Sequence, residues 1–305
     1  MTIPAHVGEM AEIPVIVGAT ASGKTRRAVS LAKITGAEIV SADSMQVYRR
    51  MDIGTAKATL SEREGVPHHM IDVVEPDERF SVADYKKMAS QCVRDILSRG
   101  RGVIVTGGTG LYISALVYNI NYPAFAVDAA YRERLTRRVE QEGTYGLHAE
   151  LADADPEAAA RIHINDVKRI IRALEVYKAT GMNISAHERL SRAEPPEFNF
   201  KLYGIDVARD ELYCRINARV DAMFENGLVG EARAMFDRYG YGIAASQAIG
   251  YKELIGYFNG ACGLDDVKEK IKTETRRYAK RQLTWFRSMK HIEWTDGAAP
   301  DGGFI

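Results

Sequence analysis

Cysteine is scarce in this 305-residue sequence: Cys92, Cys214 and Cys262 are its only three, widely spaced and with no C-x-x-C pair. An odd, scattered set supports neither a disulfide framework nor a zinc site, and it points to a reducing, cytoplasmic setting. Long hydrophobic runs are also missing, so no stretch reads as a bilayer span and no membrane association is expected. The first residues carry Glu9 and Glu12 and show no basic segment followed by an apolar one, so they do not read as a signal peptide. An excess of charge is lacking as well: 41 Lys and Arg balance 41 Asp and Glu. A neutral sum argues against a general nucleic-acid binder, although the distribution of charge is uneven. Internal repeats and low-complexity tracts are absent from the sequence.

What is present is an alternation of apolar, β-branched runs with helix-forming segments. Residues 13–17, 38–41, 102–106 and 200–206 read as strands. The pattern predicts an α/β fold with a mainly parallel sheet flanked by helices. Between about 129 and 187 strand signals vanish, and helices are expected over 131–141, 147–153, 156–162 and 166–179, punctuated by Gly143, Gly146, Pro156 and Gly181. This reads as an all-helical insertion over residues 118–198, with the α/β core built from 1–117 and 199–305. Beyond residue 209 the chain turns helical again over 212–226, 229–239 and 264–290.

The most specific motif is Gly18-Ala19-Thr20-Ala21-Ser22-Gly23-Lys24-Thr25, a full match to the phosphate-cradling P-loop. It lies between a predicted strand and a predicted helix, where backbone N–H groups and the helix dipole favour an anion. Lys24 is placed to reach terminal phosphates and the Thr25 hydroxyl to ligate Mg²⁺. The motif implies a P-loop NTPase-like sheet and a diphosphate or triphosphate ligand, without saying that the ligand is ATP.

A second strand ends in Ser41-Ala42-Asp43-Ser44. Strand C-termini line the ligand crevice of a parallel sheet, so Asp43 is expected near the phosphates, as a general base or beside a metal ion. A turn cap made by Asp43 or Ser44 is the alternative. The strand of 102–106 runs into Gly107-Gly108-Thr109-Gly110. An ATP-driven P-loop enzyme is expected to carry an Asp there to hold Mg²⁺. Its place is taken by glycines and by the hydroxyls of Thr106 and Thr109. Tight packing of strand on helix accounts for one such glycine more comfortably than for three. Adjacent His68 and His69 point to opposite sides of an extended segment, which favours loop histidines bonded to backbone over a metal site.

Basic residues cluster in three places. Arg276, Arg277, Lys280, Arg281, Arg287 and Lys290 form an acid-free run interleaved with Trp285 and Phe286. Lys168, Arg169 and Arg172 form a second group, and Arg132, Arg134, Arg137 and Arg138 a third. Several clusters in a neutral chain suggest a groove that follows a phosphate backbone.

Taken in order, the motifs resemble a family. The P-loop is followed by Ser41-Ala42-Asp43-Ser44-Met45-Gln46-Val47-Tyr48, Met51-Asp52-Ile53-Gly54-Thr55-Ala56-Lys57 and Pro67-His68-His69-Met70-Ile71-Asp72. Further on come Gly107-Gly108-Thr109-Gly110-Leu111-Tyr112, Ala248-Ile249-Gly250-Tyr251-Lys252-Glu253 and Lys280-Arg281-Gln282-Leu283-Thr284-Trp285. Nearly the whole chain, from about 13 to 294, resembles the tRNA dimethylallyltransferases, the bacterial tRNA isopentenyltransferase family. Ala19 departs from the proline of many relatives. No Cys/His zinc module follows Trp294, which the resemblance associates with bacterial members.

The resemblance implies transfer of a dimethylallyl group from dimethylallyl diphosphate to the exocyclic amine of an adenine. That adenine lies 3′ of the anticodon in tRNAs that read U-initial codons. By resemblance, Asp43 accepts the amine proton and Thr109 acts near the reacting centre. Arg219 and Lys24 serve the leaving diphosphate, and Gly18, Thr20, Ala21, Ser22, Gly23, Lys24 and Thr25 bind the donor, with Mg²⁺ on Thr25. Asp43, Ser44, Met45, Gln46, Lys168, Arg169, Arg172, Gln247, Lys252, Lys280, Arg281 and Arg287 match segments that contact the tRNA anticodon stem-loop. A monomer is the family expectation. Two other readings stay open at this stage: a transferase that prenylates free adenine nucleotides, and a P-loop kinase of a small molecule.

Overall fold

The structure, a computed structural model, describes residues 11–122 and 128–296. The chain divides into two compact units. One comprises Met1–Val117 with Glu197–Ile305, and the other is Tyr118–Pro196. The second begins at the expected residue 118 and ends two residues before the expected 198.

The first unit starts with β1 (Ile13–Gly18), the P-loop and α1 (Lys24–Thr35). Then come β2 (Glu38–Ser41), a short α2 (Leu60–Arg63), β3 (His68–His69), α3 (Val82–Ser98), β4 (Val103–Gly107) and α4 (Gly110–Val117). After the second unit the chain returns through β5 (Phe200–Asp206) to α10 (Arg209–Glu225). Its described part continues with α11 (Leu228–Tyr239), α12 (Leu254–Phe258), α13 (Leu264–Ser288) and β6 (Ile292–Asp296). The six strands form one sheet in the order β3-β2-β4-β1-β5-β6, and every pairing is parallel. This is the P-loop NTPase-like α/β architecture. Because all connections cross over, every strand ends on the same side, and the loops after β1, β2 and β4 converge there.

The sequence dictates this locally. β1 is almost wholly buried, as an apolar run in a sheet covered on both faces must be. α1 opens on Gly23, whose φ of +90° is in the left-handed region that glycine occupies without strain. α1 packs Ala28, Leu31 and Ala32 against Ile16, Ile39 and Ile104 of the sheet. α3 begins with a capping box in which Ser81 and Asp84 satisfy each other's backbone N–H groups. A further apolar cluster joins Met51 and Tyr251 to Val220, Met235 and Ile271, so the last three helices are built onto the loop after β2. Among the described residues no helix is long and apolar enough to cross a membrane.

The second unit is all-helical in its described part: α5 (Ala129–Glu142), α6 (Tyr145–Ala154), α7 (Pro156–Arg161), α8 (Val167–Thr180) and α9 (Ile184–Ser191). Leu135, Leu147, Leu151, Ile170 and Leu174 form its own core. Buried Asp155 caps α7 through Ala158 N–H and also accepts from the backbone and hydroxyl of Ser185, tying α9 to the turn.

Two strands escaped the sequence reading. β3 is the two-residue edge at His68 and His69, and its histidines have different partners. His68 Nδ1 lies 2.8 Å from the Val66 carbonyl, as expected of a loop histidine. His69 departs from that expectation, because its Nε2 lies 2.7 Å from the Glu38 carboxylate rather than on backbone. Arg99 also grips Glu38, and this bond above all, with the His69 contact, holds the Glu38 carboxyl down at about 2. β6 closes the other edge, where buried Arg27 donates to Thr295 Oγ1 at 3.1 Å and to the Asp296 carbonyl at 2.5 Å.

Candidate active site

The converging loops enclose a cavity of about 380 Å³, lined only by residues of the first unit. Thr20, Lys24 and Thr25 come from the P-loop, and Asp43, Ser44, Met45 and Gln46 from the turn after β2. Arg219 comes from α10, Gln247, Gly250 and Lys252 from the segment before α12, and Tyr278, Arg281 and Gln282 from α13.

At its floor Lys24 Nζ donates to the Ala19 carbonyl at 3.0 Å, curling over the loop. Arg219 Nη1 reaches Thr20 Oγ1 at 3.5 Å. Two cations thus meet over backbone N–H groups at a helix N-terminus, an arrangement that calls for an anion. Removal from bulk water, then the nearby Arg219, lower the Lys24 pKa to about 8, against the pull of Asp43. Burial likewise brings Arg219 below the usual arginine range.

Asp43 makes the turn cap that the sequence offered as an alternative, and it also stands at the cavity. Its Oδ1 accepts the N–H groups of Met45 at 2.9 Å and Gln46 at 3.3 Å, closing an Asx turn. The same side chain lines the cavity. Thr109 does not line it. Its hydroxyl accepts Ser44 N–H at 2.9 Å and lies 3.3 Å from Ser44 Oγ, so it holds the Asp43 turn from behind.

Packing accounts for all three of Gly107, Gly108 and Gly110, which corrects the expectation that it suits one of them better than three. A Cβ on Gly107 would stand 2.1 Å from the Ala42 carbonyl oxygen. One on Gly108 would meet Gln282 Nε2 at 2.2 Å, and one on Gly110 the Trp285 ring at 2.3 Å. Gln282 is the residue whose role the sequence reading missed. Nearly fully buried, it accepts Thr20 N–H at 2.8 Å and donates to the Gly108 carbonyl at 2.8 Å. It therefore ties the P-loop to the loop after β4. A lone amide on the buried stripe of a helix was the available signal.

Gly18, Ala21, Ser22 and Gly23 shape the P-loop without lining the cavity. Gly18 has no room for a side chain, since a Cβ would lie 2.8 Å from Ser22 Oγ. Ala21 holds a left-handed φ of +63°. Lys280 and Arg287 are exposed on α13 and do not line the cavity; Arg287 pairs with Asp206 at 3.3 Å. Lys168, Arg169 and Arg172 lie on α8 of the second unit. The cluster on α5 does not supply the free charge expected of a phosphate-following groove. Glu175 takes Arg132 in two bonds of 2.7 Å, Glu150 takes Arg138 at 2.7 Å, and Glu133 takes Arg137. Arg134 lies over the Tyr131 ring.

Mg²⁺ fits this donor set in one way. Among the described residues no three His, Cys, Asp or Glu side chains gather to cage an ion. The Thr25 hydroxyl and Asp43 face the same cavity. Such a sparse set suits a hard ion that keeps several waters and shares phosphate oxygens of its substrate.

The family model described as IPP transferase matches residues 46–289. The chain belongs to the IPP transferase family. This family member is 48% identical to the tRNA dimethylallyltransferase of Acetivibrio thermocellus over 93% of the chain and 91% of the relative. It is 46% identical to the tRNA dimethylallyltransferase of Bacillus subtilis, with 94% and 91% covered. The crystal structure of the full-length tRNA isopentenylpyrophosphate transferase from Bacillus halodurans is similar at a TM-score of 0.70 and 45% identity, with 94% of this chain and 90% of that one covered. A eukaryotic dimethylallyltransferase caught acting on tRNA is similar at 0.78 and 29% identity, with 94% and 74% covered.

Proposed function

We propose that this IPP transferase family member moves a dimethylallyl group from dimethylallyl diphosphate to the exocyclic amine of the adenine 3′ of the anticodon. The products are isopentenyladenosine in tRNA and diphosphate. The reading rests on one observation above all: Lys24, Arg219 and Asp43 face a single cavity beside a β4 end that carries glycines where an acid would hold the metal of an ATPase. Its relatives' names give the substrate class.

The amine nitrogen attacks the allylic carbon, and the carbon–oxygen bond to diphosphate breaks with its electron pair on the departing oxygen. Lys24, Arg219 and the P-loop N–H groups oppose the charge that develops there. The amine is a weak nucleophile because its lone pair is shared with the ring. Asp43 takes its proton as the new bond forms. Oδ1 is engaged by the turn, so Oδ2 is the oxygen assigned to the proton. Mg²⁺, held through Thr25 and the donor's oxygens, would add positive charge to the same leaving group. The reacting adenine has to leave its stack to enter the cavity. Arg281, Gln247 and Lys252 are the first unit's groups at the cavity for the anticodon loop, with Lys280 and Arg287 further along α13. Lys168, Arg169 and Arg172 are proposed as the second unit's contacts. The protein is proposed to work as a cytoplasmic monomer.

The test is to supply labelled dimethylallyl diphosphate and Mg²⁺ with tRNA, with free adenine nucleotides, or alone. Label passing only to tRNA is the expected result. Label passing to free nucleotide, or ATP turnover without transfer, overturns the reading.

A further inference from the structure

The loop of residues 51–57 forms one wall of the cavity through Gly54, Thr55 and Ala56. It has no regular structure of its own; the N–H groups of Ala56 and Lys57 close turns within it, and those of Asp52, Ile53 and Gly54 are satisfied from far away in sequence. One carboxylate, Glu231 on α11, accepts three of them in a row: Asp52 at 2.9 Å, Ile53 at 2.8 Å and Gly54 at 3.0 Å. A fourth donor, the hydroxyl of fully buried Tyr251, also points at Glu231. The Tyr251 ring fills the space where a Gly54 side chain would stand, 2.4 Å from an added Cβ. Glu231 itself does not line the cavity.

The loop in turn grips a residue that does. Gln46 Nε2 donates to the carbonyls of Thr55 at 3.2 Å and Ala56 at 3.4 Å. Gln46 lines the cavity next to the turn closed by Asp43. The linkage therefore runs from the Glu231 carboxylate, through three N–H groups and two carbonyls, to a carboxamide facing the reaction space. It shares no residue with the P-loop contacts made by Gln282. A carboxylate taking several backbone N–H groups fixes a loop much as an anion fixes a nest.

We infer that Glu231 is a positioning residue for the acceptor base: it sets the 51–57 loop so that the Gln46 carboxamide meets the adenine, and it leaves the donor site alone. This rests on the proposed function for the identity of the acceptor. The experiment compares Glu231→Ala, Glu231→Gln and Tyr251→Phe with the unsubstituted protein. Steady-state transfer gives KM for tRNA and for dimethylallyl diphosphate, and hydrogen exchange follows the amides of 52–54. For Glu231→Ala we expect KM for tRNA to rise about tenfold or more while KM for the donor stays within about twofold, since the lost bonds serve acceptor binding alone. Glu231→Gln should recover part of the loss, and the three amides should lose protection in proportion. Tyr251→Phe removes one donor and serves if Glu231→Ala does not fold. Equal rises in both KM values, or an unchanged KM for tRNA, overturn the inference. So do amides that keep full protection without Glu231, and this outcome is readable even without turnover. Failure of the unsubstituted protein to label tRNA overturns the proposed function instead, and the amides still decide whether Glu231 holds the loop.

Discussion

The ammonium of Lys24 rests on the carbonyl of Ala19, 3.0 Å away, inside the loop it is meant to serve. Burial first, then the neighbouring Arg219, pull its pKa down to about 8. The cation is therefore present below that pH and lost as pH rises through it. We expect the affinity for inorganic diphosphate to fall as pH rises through about 8, and Lys24→Met to remove that dependence. Calorimetric titration across this range checks it, and an affinity that stays level shows that Lys24 keeps its proton. In the unfolded chain the lysine holds its proton to about 10.4, so the ligand-free fold should gain stability as pH rises between the two values.

Asp43 carries two tasks that one substitution separates. Asn can still accept the Met45 and Gln46 N–H groups through its side-chain oxygen, but it cannot take a proton. We expect Asp43→Asn to lower kcat by about 10² to 10⁴, the usual worth of a placed base, with diphosphate affinity and melting temperature nearly unchanged. A near-normal single-turnover rate excludes Asp43 as the base.

Thr109 is hydrogen-bonded to Ser44, the residue that follows Asp43. Replacing it by Val keeps the volume and removes the acceptor of the Ser44 N–H. The loss of about 1 kcal/mol of hydrogen bonding and the loosened turn should slow transfer by roughly tenfold. Thr109→Ser should restore most of the rate. Transfer rates for the two variants decide it, and equal rates for Val and Ser contradict this role.

Gly107 leaves its neighbour no way to yield. Its added Cβ would meet Ala42 backbone at 2.1 Å, not the end of a flexible side chain. We expect Gly107→Ala to destabilise the first unit by about 3 kcal/mol or more, the upper range for overpacking. Denaturant unfolding followed at Trp285, on the same unit, measures it.

Much of the site was legible because it is local. The P-loop spans eight consecutive residues, and its flanking strand and helix announce themselves by apolar runs and helix-forming composition. The β2 end brings Asp43 to the cavity by topology alone. The rest depends on contacts distant in sequence. Gln282 lies 262 residues from Thr20, and Glu231 lies 177 from Gly54. Both act on backbone groups, which carry no residue-specific signal. β3 is too short to show alternation, and the arginines of α5 look like free charge until Glu175 and Glu150 are seen beside them. The glycines after Thr106 look too many for packing alone until Ala42, Gln282 and Trp285, all distant in sequence, are seen beside them.

The hold of Gln282 on the P-loop also couples the phosphate-binding motif to a distant part of the chain. The eight residues of the motif are contiguous, but the side chain that braces Thr20 stands on α13, 262 residues further on. A product truncated before α13 would display an intact phosphate-binding motif in a loop with no brace and a cavity with one wall missing. The motif alone therefore does not make the site: a change confined to α13 reaches the phosphate-binding loop through one side-chain amide.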